Sequence, residues 1–333
     1  MAEVLRAAAP VGGTQIELGL NAAIVSVRDQ QPQTLVVPLG AVDSGNWDAL
    51  PFGPFAPLAH RTLEIGLRAW AKRQTGLDLG YVEQLYTFGD RGRHAEPGDT
   101  ASHILSVGYL ALTQGAGEEL LGSHWSPWYA YFPWEDWRRG KPEILNREIE
   151  PRLLEWAERA PSPDEPARPL RRAERLTVGF GIGGGFDEEK VLERYELLYE
   201  AGLVTEAARD GRSAARHWSK LPELGRPMAF DHRRILATAM GRLRGKLKYR
   251  PVVFELLPPE FTLLDLQKTV EAISGTLLHK QNFRRLVEQG RLVEPTGNVS
   301  TETGGRPAKL YRFRREVVLE RPAPGLRVKA GRS

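Results

Sequence analysis

The chain has 333 residues, of which 41% are hydrophobic and 26% charged; this is typical of ordinary globular domains and predicts two or three of them. It contains no cysteine, which excludes disulfides and cysteine-ligated metals. No apolar run suits a signal peptide or a membrane span, so we expect a cytoplasmic protein.

The net charge of +4 is divided unevenly along the chain. Residues 228–333 hold 21 Lys and Arg against 10 Asp and Glu, a net of +11, so the other residues carry a net of −7. A basic end on an acidic body is typical of a protein that binds nucleic acid through that end. The alternative is a basic surface that is only solvated.

The first part of the chain has the pattern of a small sheet with one helix. Four stretches rich in aliphatic and aromatic residues are predicted to be strands: 17–27, 33–39, 81–88 and 103–113. The first two form a hairpin around a polar turn. The Gly- and Pro-rich stretch 44–57 is predicted to be a loop, and a helix is predicted over 58–75, with Gly76 ending it.

Residues 116–213 are predicted to be an insertion that is mostly helical. Helices are expected over 144–159 and 187–201, the second capped by Asp187. An aromatic cluster precedes them: Trp125, Trp128, Tyr129, Tyr131, Phe132, Trp134 and Trp137. Because no basic residue interleaves with this cluster, we interpret it as core or dimer interface rather than as a base-stacking surface.

The segment 179–184, GFGIGG, fits the dinucleotide-binding fingerprint. That fingerprint requires a strand–helix–strand unit, and no long apolar strand follows the next helix. We therefore interpret it as a Gly-rich turn.

The last third predicts a helix-turn-helix followed by a hairpin. A long helix begins after Asp231 and has an apolar stripe over 236–247. The segment TLLD at 262–265 has the form of a capping box and begins a helix that Gly275 ends. A second helix follows and ends at Gly290, and strands at 292–293 and 308–313 pair around a Gly-rich tip. Together these make a winged helix.

The second helix of this module has one basic and one apolar stripe, as expected of a helix that packs on a core and enters a DNA groove. Seven residues of the module are predicted to bind DNA: Lys280, Gln281, Asn282, Arg284, Arg285, Arg306 and Lys309. Arginine bonds guanine edges or phosphates, and Gln and Asn can read adenine. The last two, on the wing, suit phosphates or the minor groove.

Several short segments occur together in this chain. In the C-terminal part they are AFDH at 229–232, FELLP at 254–258, FTL at 261–263, NFRR at 282–285, GRPA at 305–308 and LYRF at 310–313. In the N-terminal part they are LPFG at 50–53, TGL at 75–77, YTFGD at 86–90 and VGYL at 107–110. The combination resembles the Nudix-related transcriptional regulators of NAD metabolism, in which a Nudix-like sensor domain is fused to a winged helix-turn-helix. The long insertion resembles the alphaproteobacterial branch, the NAD regulator NadQ.

This resemblance implies an α+β protein. A Nudix-like mixed-sheet domain is expected over residues 1–115 and 214–247, the latter including a linker helix, with the helical insertion at 116–213. A winged helix-turn-helix is expected at 248–320 and a tail at 321–333. The implied function is a repressor of NAD biosynthesis or uptake genes that requires no cofactor. Its effector is an adenine nucleotide such as NAD, ADP-ribose or ATP.

One departure from the Nudix pattern concerns catalysis. The glutamates of the catalytic Nudix box hold a divalent metal. In this chain the corresponding residues 69–74, shortly before Gly76, are AWAKRQ and include no carboxylate. A further glutamate that lies earlier in the box falls at about Arg61 in this chain. Hard cations need several oxygen ligands, so we expect no metal site and no enzyme activity. Arg73 stands where a metal-binding carboxylate stood, and a guanidinium can bind a diphosphate directly. The predicted ligand site consists of Arg61, Arg73, Gln74 and Arg93; the alternative is that Arg73 only supports the fold.

We expect a homodimer on a palindromic operator, because one small module makes too few contacts for tight specific binding. The apolar stripe over 236–247 and the aromatic cluster are the candidate dimer surfaces.

Two rival functions remain. One is a Nudix-type hydrolase of ADP-ribose or a related nucleotide tethered to nucleic acid, and the other is a winged helix that binds RNA or protein.

Overall fold

The computed structural model describes residues 15–42, 45–90, 102–115, 122–162, 164–165, 167–301 and 307–326. The strands of this part are β1 Gln15–Arg28, β2 Gln31–Val42, β3 Gly45–Ala49, β4 Phe52–Pro54, β5 Tyr81–Phe88, β6 Ser102–Leu112, β7 His124–Pro127, β8 Val293–Ser300 and β9 Ala308–Phe313. The helices are α1 Leu63–Thr75, α2 Glu150–Glu158, α3 Arg172–Phe180, α4 Val191–Glu200, α5 Thr205–Arg209, α6 His232–Leu247, α7 Leu263–Ser274, α8 Lys280–Gly290 and α9 Val317–Glu320. Within these residues, no helix has both the length and the apolar character that crossing a membrane requires.

Strand β1 is the centre of a mixed sheet with the strand order β3-β2-β1-β6-β5. It pairs antiparallel with β2 and parallel with β6, and β5 pairs antiparallel with β6. The short strand β4 pairs with the first half of β1, and β7 pairs with the first half of β2. The hairpin and the four strands predicted from the sequence are confirmed.

The two faces of this sheet are covered by different helices. Side chains alternate along a strand, so Leu20 and Ile24 of β1 pack on one face with Leu67 of α1. Val25 points to the opposite face and joins the cluster that contains Ile235 of α6. The sheet therefore lies between α1 and α6.

The segment between β6 and α6 shares this core. It adds β7 to the sheet, and its Trp128 and Trp134 are fully buried in the cluster that also contains Leu236 and Leu243 of α6. The interpretation of the aromatic cluster as core is confirmed. The expectation that this cluster and the α6 stripe are dimer surfaces is wrong, because the stripe and five of the seven aromatic side chains are buried inside the chain. The other two, Trp125 and Trp137, are partly buried and pack against the same hydrophobic clusters.

Two predictions near the first helix need correction. The stretch 44–57 is not only a loop, since it contains β3 and β4, whose backbone groups pair with β2 and β1. Helix α1 begins at Leu63 rather than at residue 58. Thr62 caps it there, its Oγ1 accepting a hydrogen bond from Ile65 N at 3.2 Å.

The helices of the insertion also differ from those predicted. The helix expected over 144–159 is present, but its first turn, Leu145–Ile149, is a π-helix that leads into α2. Pro151 follows it and has no N–H to donate to the preceding turn. Helix α4 begins at Val191, so the predicted cap at Asp187 is wrong; that side chain accepts from Glu189 N instead. Helices α3 and α5 were not predicted.

Residues 181–184 of the Gly-rich segment form a turn, as predicted, whereas Gly179 and Phe180 are the last two residues of α3. Helix α3 ends at Gly181, which has the left-handed φ of 71° that favours glycine. The structure places a helix, not a strand, before this segment, so it has no dinucleotide-binding context.

The C-terminal module is the predicted winged helix. The capping box is complete, since Thr262 Oγ1 accepts from Asp265 N and Asp265 Oδ2 accepts from Thr262 N. Helix α7 ends at Gly275, and a short turn leads into α8. Strands β8 and β9 form the wing, and Phe261 exchanges two backbone hydrogen bonds with Tyr311 of β9. The wing is thereby attached to the start of α7.

Candidate nucleic-acid interface and ligand pocket

Helix α8 turns its apolar residues inward and its polar residues to solvent. Phe283 and Val287 are buried. The predicted DNA-binding residues of this helix are all exposed: Lys280, Gln281, Asn282, Arg284 and Arg285. The three basic side chains form no ion pair with another described residue. Their charges and hydrogen-bond donors are therefore available to a polyanion.

A buried polar network fixes the turn between α7 and α8. The Glu271 carboxylate is almost fully buried and accepts hydrogen bonds from Leu278 N at 3.0 Å and from Gln267 Nε2 at 2.8 Å. Gln267 Nε2 also donates to Leu278 O at 3.0 Å. These bonds tie the backbone of Leu278, next to the start of α8, to two buried side chains of α7, and so hold α8 at one angle to α7.

The wing supplies a second exposed basic position. Lys309 of β9 is exposed. Arg306, also predicted to bind DNA, lies outside the described residues. The base of the wing is held by Phe254 and Phe313, whose rings stack with centroids 4.3 Å apart.

The carboxyl end of α7 is held by donors from the rest of the chain. The last carbonyl groups of a helix have no partner inside it. Here Tyr129 Oη donates to Ala272 O at 2.7 Å, Arg244 Nε to Ile273 O at 2.9 Å, and Trp137 N to Gly275 O at 2.7 Å. A cation at this end also complements the helix dipole. The insertion and α6 together fix the first helix of the DNA-binding module.

A buried carboxylate organises these donors. Glu135 is fully buried between two equally buried arginines: Arg194 Nε lies 2.5 Å from Oε1 and Arg244 Nη1 lies 2.6 Å from Oε2. Burial alone would raise the pKa of the Glu135 carboxyl, but the two guanidinium groups outweigh it and hold that pKa below its usual range. The carboxylate is therefore charged at neutral pH. We call Glu135, Arg194 and Arg244 the buried ion cluster.

The predicted ligand residues lie around α1. The Arg73 guanidinium is exposed and stacks on the Trp70 ring, 4.4 Å from its centroid. Gln74 Oε1 accepts a hydrogen bond from Phe52 N of β4 at 2.9 Å. Arg61 is exposed, and Arg93 lies outside the described residues. Among the described residues, no three His, Asp or Glu side chains are grouped as a metal site would need.

A pocket of about 200 Å³ lies on the other face of β4 and was not predicted. Gly53 faces Trp70 on the α1 side, whereas its neighbours Phe52 and Pro54 pair with Asn21 and Gly19 of β1 on the α6 side. The residues that line the pocket are Glu17, Leu18, Gly19, Asn21, Phe52, Gly53, Pro54, Ile104, Ser106, Phe230 and His232. They come from β1, β4, β6 and the start of α6, so no local pattern could have found them.

The family model described as the NrtR DNA-binding winged helix domain matches residues 253–313. A protein of Acinetobacter baylyi, the ADPR responsive transcriptional repressor NtrR, is 44% identical over 120 residues. That match covers 35% of this chain and 48% of the relative. The chain therefore spans about half the length of this relative.

Solved structures match over most of the chain. Shewanella oneidensis NrtR complexed with a 27mer DNA has a TM-score of 0.54 at 21% identity and covers 91% of this chain and 95% of its own. A MutT/nudix family protein from Enterococcus faecalis has a TM-score of 0.51 at 16% identity and covers 94% of this chain and 93% of its own. At these identities the likeness concerns the fold. The chain has the fold of a Nudix-like mixed-sheet domain joined to a C-terminal winged helix.

Proposed function

We propose that this chain is a DNA-binding transcriptional regulator, a repressor of NAD biosynthesis or uptake genes, whose DNA binding is controlled by an adenine nucleotide. The observation that carries the proposal is the exposed face of α8, which combines Gln281 and Asn282 with three basic side chains that form no ion pair within the described part of the chain. The NrtR-type winged helix and the repressor name of the Acinetobacter relative support it.

We propose ADP-ribose as the first effector to test, because that relative is named as ADPR responsive; NAD and ATP are the alternatives. The site we propose for the diphosphate is the α1 surface with Arg73, Gln74, Arg61 and Arg93.

We further propose a homodimer on a palindromic operator, because two copies double the contacts of one small module. The length of the insertion supports a place in the NadQ branch.

The proposed function is tested by fluorescence anisotropy with labelled DNA from upstream of NAD biosynthesis genes. We expect tighter binding than to a scrambled duplex, and a change in this affinity when ADP-ribose, NAD or ATP is added. Equal binding to both duplexes, unaffected by any nucleotide, would contradict it. Preference for RNA of equal length would favour the RNA-binding alternative.

We propose that the chain is not an enzyme, because the α1 residues 69–74, AWAKRQ, where the catalytic box would hold its glutamates, carry no carboxylate. The rival function, a Nudix-type hydrolase, requires a divalent metal held by carboxylates. Incubation of the purified protein with ADP-ribose and magnesium is the direct test, and release of AMP above the buffer rate would favour the hydrolase.

The Arg73→Glu variant is expected to lose the ligand response while keeping its DNA affinity. A charged hydrogen bond is worth about 1.5–3 kcal/mol, so the nucleotide concentration for half-maximal response should rise roughly 10- to 100-fold. The anisotropy assay measures both quantities. Arg139→Glu is the matched control, since Arg139 is also an exposed arginine. An unchanged response in Arg73→Glu would remove Arg73 from the ligand site.

A further inference from the structure

The pocket on the α6 side of the sheet has aromatic walls. The rings of Phe52, Phe230 and His232 meet edge to face in all three pairs, with centroids 5.2, 5.4 and 5.6 Å apart. Three rings arranged in this way form an aromatic corner of the pocket, which offers both ring faces and ring edges to a flat aromatic ligand.

One buried polar group in the pocket has no partner. Asn21 is 2% exposed and lines the pocket, and its Nδ2 atom makes no hydrogen bond within the described part of the chain. A buried amide N–H without a partner is costly, and such groups are rare unless they serve a ligand or water. Of the residues that the structure describes, Asn21 is the one that both lines the pocket and holds such an atom.

The backbone beside this corner is held in an unfavourable conformation. Phe230 has a φ of 51°, which bulky residues rarely adopt. The Arg209 guanidinium keeps it there by donating to Phe230 O at 2.7 Å and to Met228 O at 3.2 Å. Strain of this kind is concentrated at ligand-binding sites, where surrounding contacts maintain it.

We propose that this pocket binds the adenine ring of the effector nucleotide and that Asn21 donates a hydrogen bond to a ring nitrogen. The proposal rests on the proposed function and names the part of the ligand that this pocket recognises. Asparagine pairs with adenine in the same way when proteins read DNA.

Size and charge exclude the rest of the nucleotide from the pocket. A volume of about 200 Å³ is below the roughly 300–1,000 Å³ of sites that enclose a whole drug-sized ligand. A diphosphate would meet the Glu17 carboxylate there, and none of the described lining residues is Lys or Arg. The phosphates therefore stay outside.

The test is isothermal titration of the full-length protein with ADP-ribose. Asn21→Leu removes the donor, and the affinity should fall about tenfold. Gly19→Val places a side chain in the pocket, and the affinity should fall at least about tenfold. A Cβ at Gly19 meets only ordinary contacts, Ser106 Oγ at 3.6 Å and Ile104 Cγ2 at 3.7 Å, so the fold should tolerate it. Gly80→Val is the matched control, because a Cβ there lies 3.8 Å from Leu112 O and outside the pocket.

Thermal unfolding separates a ligand-binding role from a structural one. Replacing a buried polar group that has no partner by an apolar group of similar shape is neutral or stabilising, so the Tm of Asn21→Leu should equal or exceed that of the wild type. A lower Tm together with weaker binding would mean that Asn21 supports the fold, and would overturn the proposal.

Competition identifies the part of the ligand that binds. AMP should displace ADP-ribose, whereas ribose 5-phosphate should not; displacement by ribose 5-phosphate alone would overturn the adenine assignment.

If both pocket variants bind ADP-ribose like the wild type and still respond in the DNA assay, the pocket assignment fails and the proposed function stands. If the wild type binds DNA but no nucleotide, both fail.

Discussion

Arg284→Ala is expected to weaken binding to the specific operator roughly 10- to 100-fold, since one bidentate contact to a base contributes about 1–3 kcal/mol of discrimination. Arg284 is exposed on α8 beside the buried Phe283 that anchors the helix. Its removal should therefore leave the fold intact. Fluorescence anisotropy on operator and scrambled duplexes measures the effect, and circular dichroism checks the fold.

Two further variants make this result specific. Arg147→Ala removes the same charge from an exposed, ion-paired arginine of the insertion, 73% exposed, and should change nothing. Lys309→Ala on the wing should weaken operator and scrambled DNA equally, because phosphate contacts carry no sequence information. If Arg284→Ala also lowered both affinities equally, Arg284 would contact phosphates rather than bases.

Glu135→Gln is expected to lower the free energy of unfolding by about 3–5 kcal/mol, because removing one partner of a buried ion pair leaves uncompensated charge in the core. Here the substitution leaves both Arg194 and Arg244 without a carboxylate. Denaturant unfolding at neutral pH measures the loss. Glu143→Gln is the matched control, since Glu143 is 76% exposed and pairs only at the surface.

The loss of unfolding free energy in Glu135→Gln should be full near neutral pH and smaller in acid. The folded state holds the pKa of Glu135 below its ordinary value of 4.5. The stabilisation is therefore fully present above about pH 4.5 and disappears as the pH falls through the lowered pKa. The difference between wild type and Glu135→Gln should be constant near neutrality and shrink in acid. A difference that grew in acid would contradict the assigned charge state.

Local patterns predicted the elements that local interactions determine. The capping box at Thr262 and Asp265 and the helix stop at Gly275 were found because each depends on a few neighbouring residues. The exposed face of α8 followed from helical periodicity alone. These features include most of the candidate DNA-binding surface.

The elements that the sequence did not predict depend on distant partners. Strand β7 includes Trp125, the first residue of the aromatic cluster, and has no strand pattern of its own in the sequence. It forms a strand because β2 pairs with it. Glu135 and Arg244 are 109 residues apart, and each looks like an ordinary surface charge in the sequence. The pocket around Asn21 needs strands that are adjacent only in the folded sheet.

The hydrogen bonds at the carboxyl end of α7 have a consequence for the operator. Tyr129 and Trp137 of the insertion fix the angle at which α7, and with it α8, leaves the body of the chain. In a two-fold pair of copies, the distance between the two reading helices sets the number of base pairs between half-sites. The residues of α8 would then determine the sequence of each half-site, and the insertion would determine the spacing between half-sites.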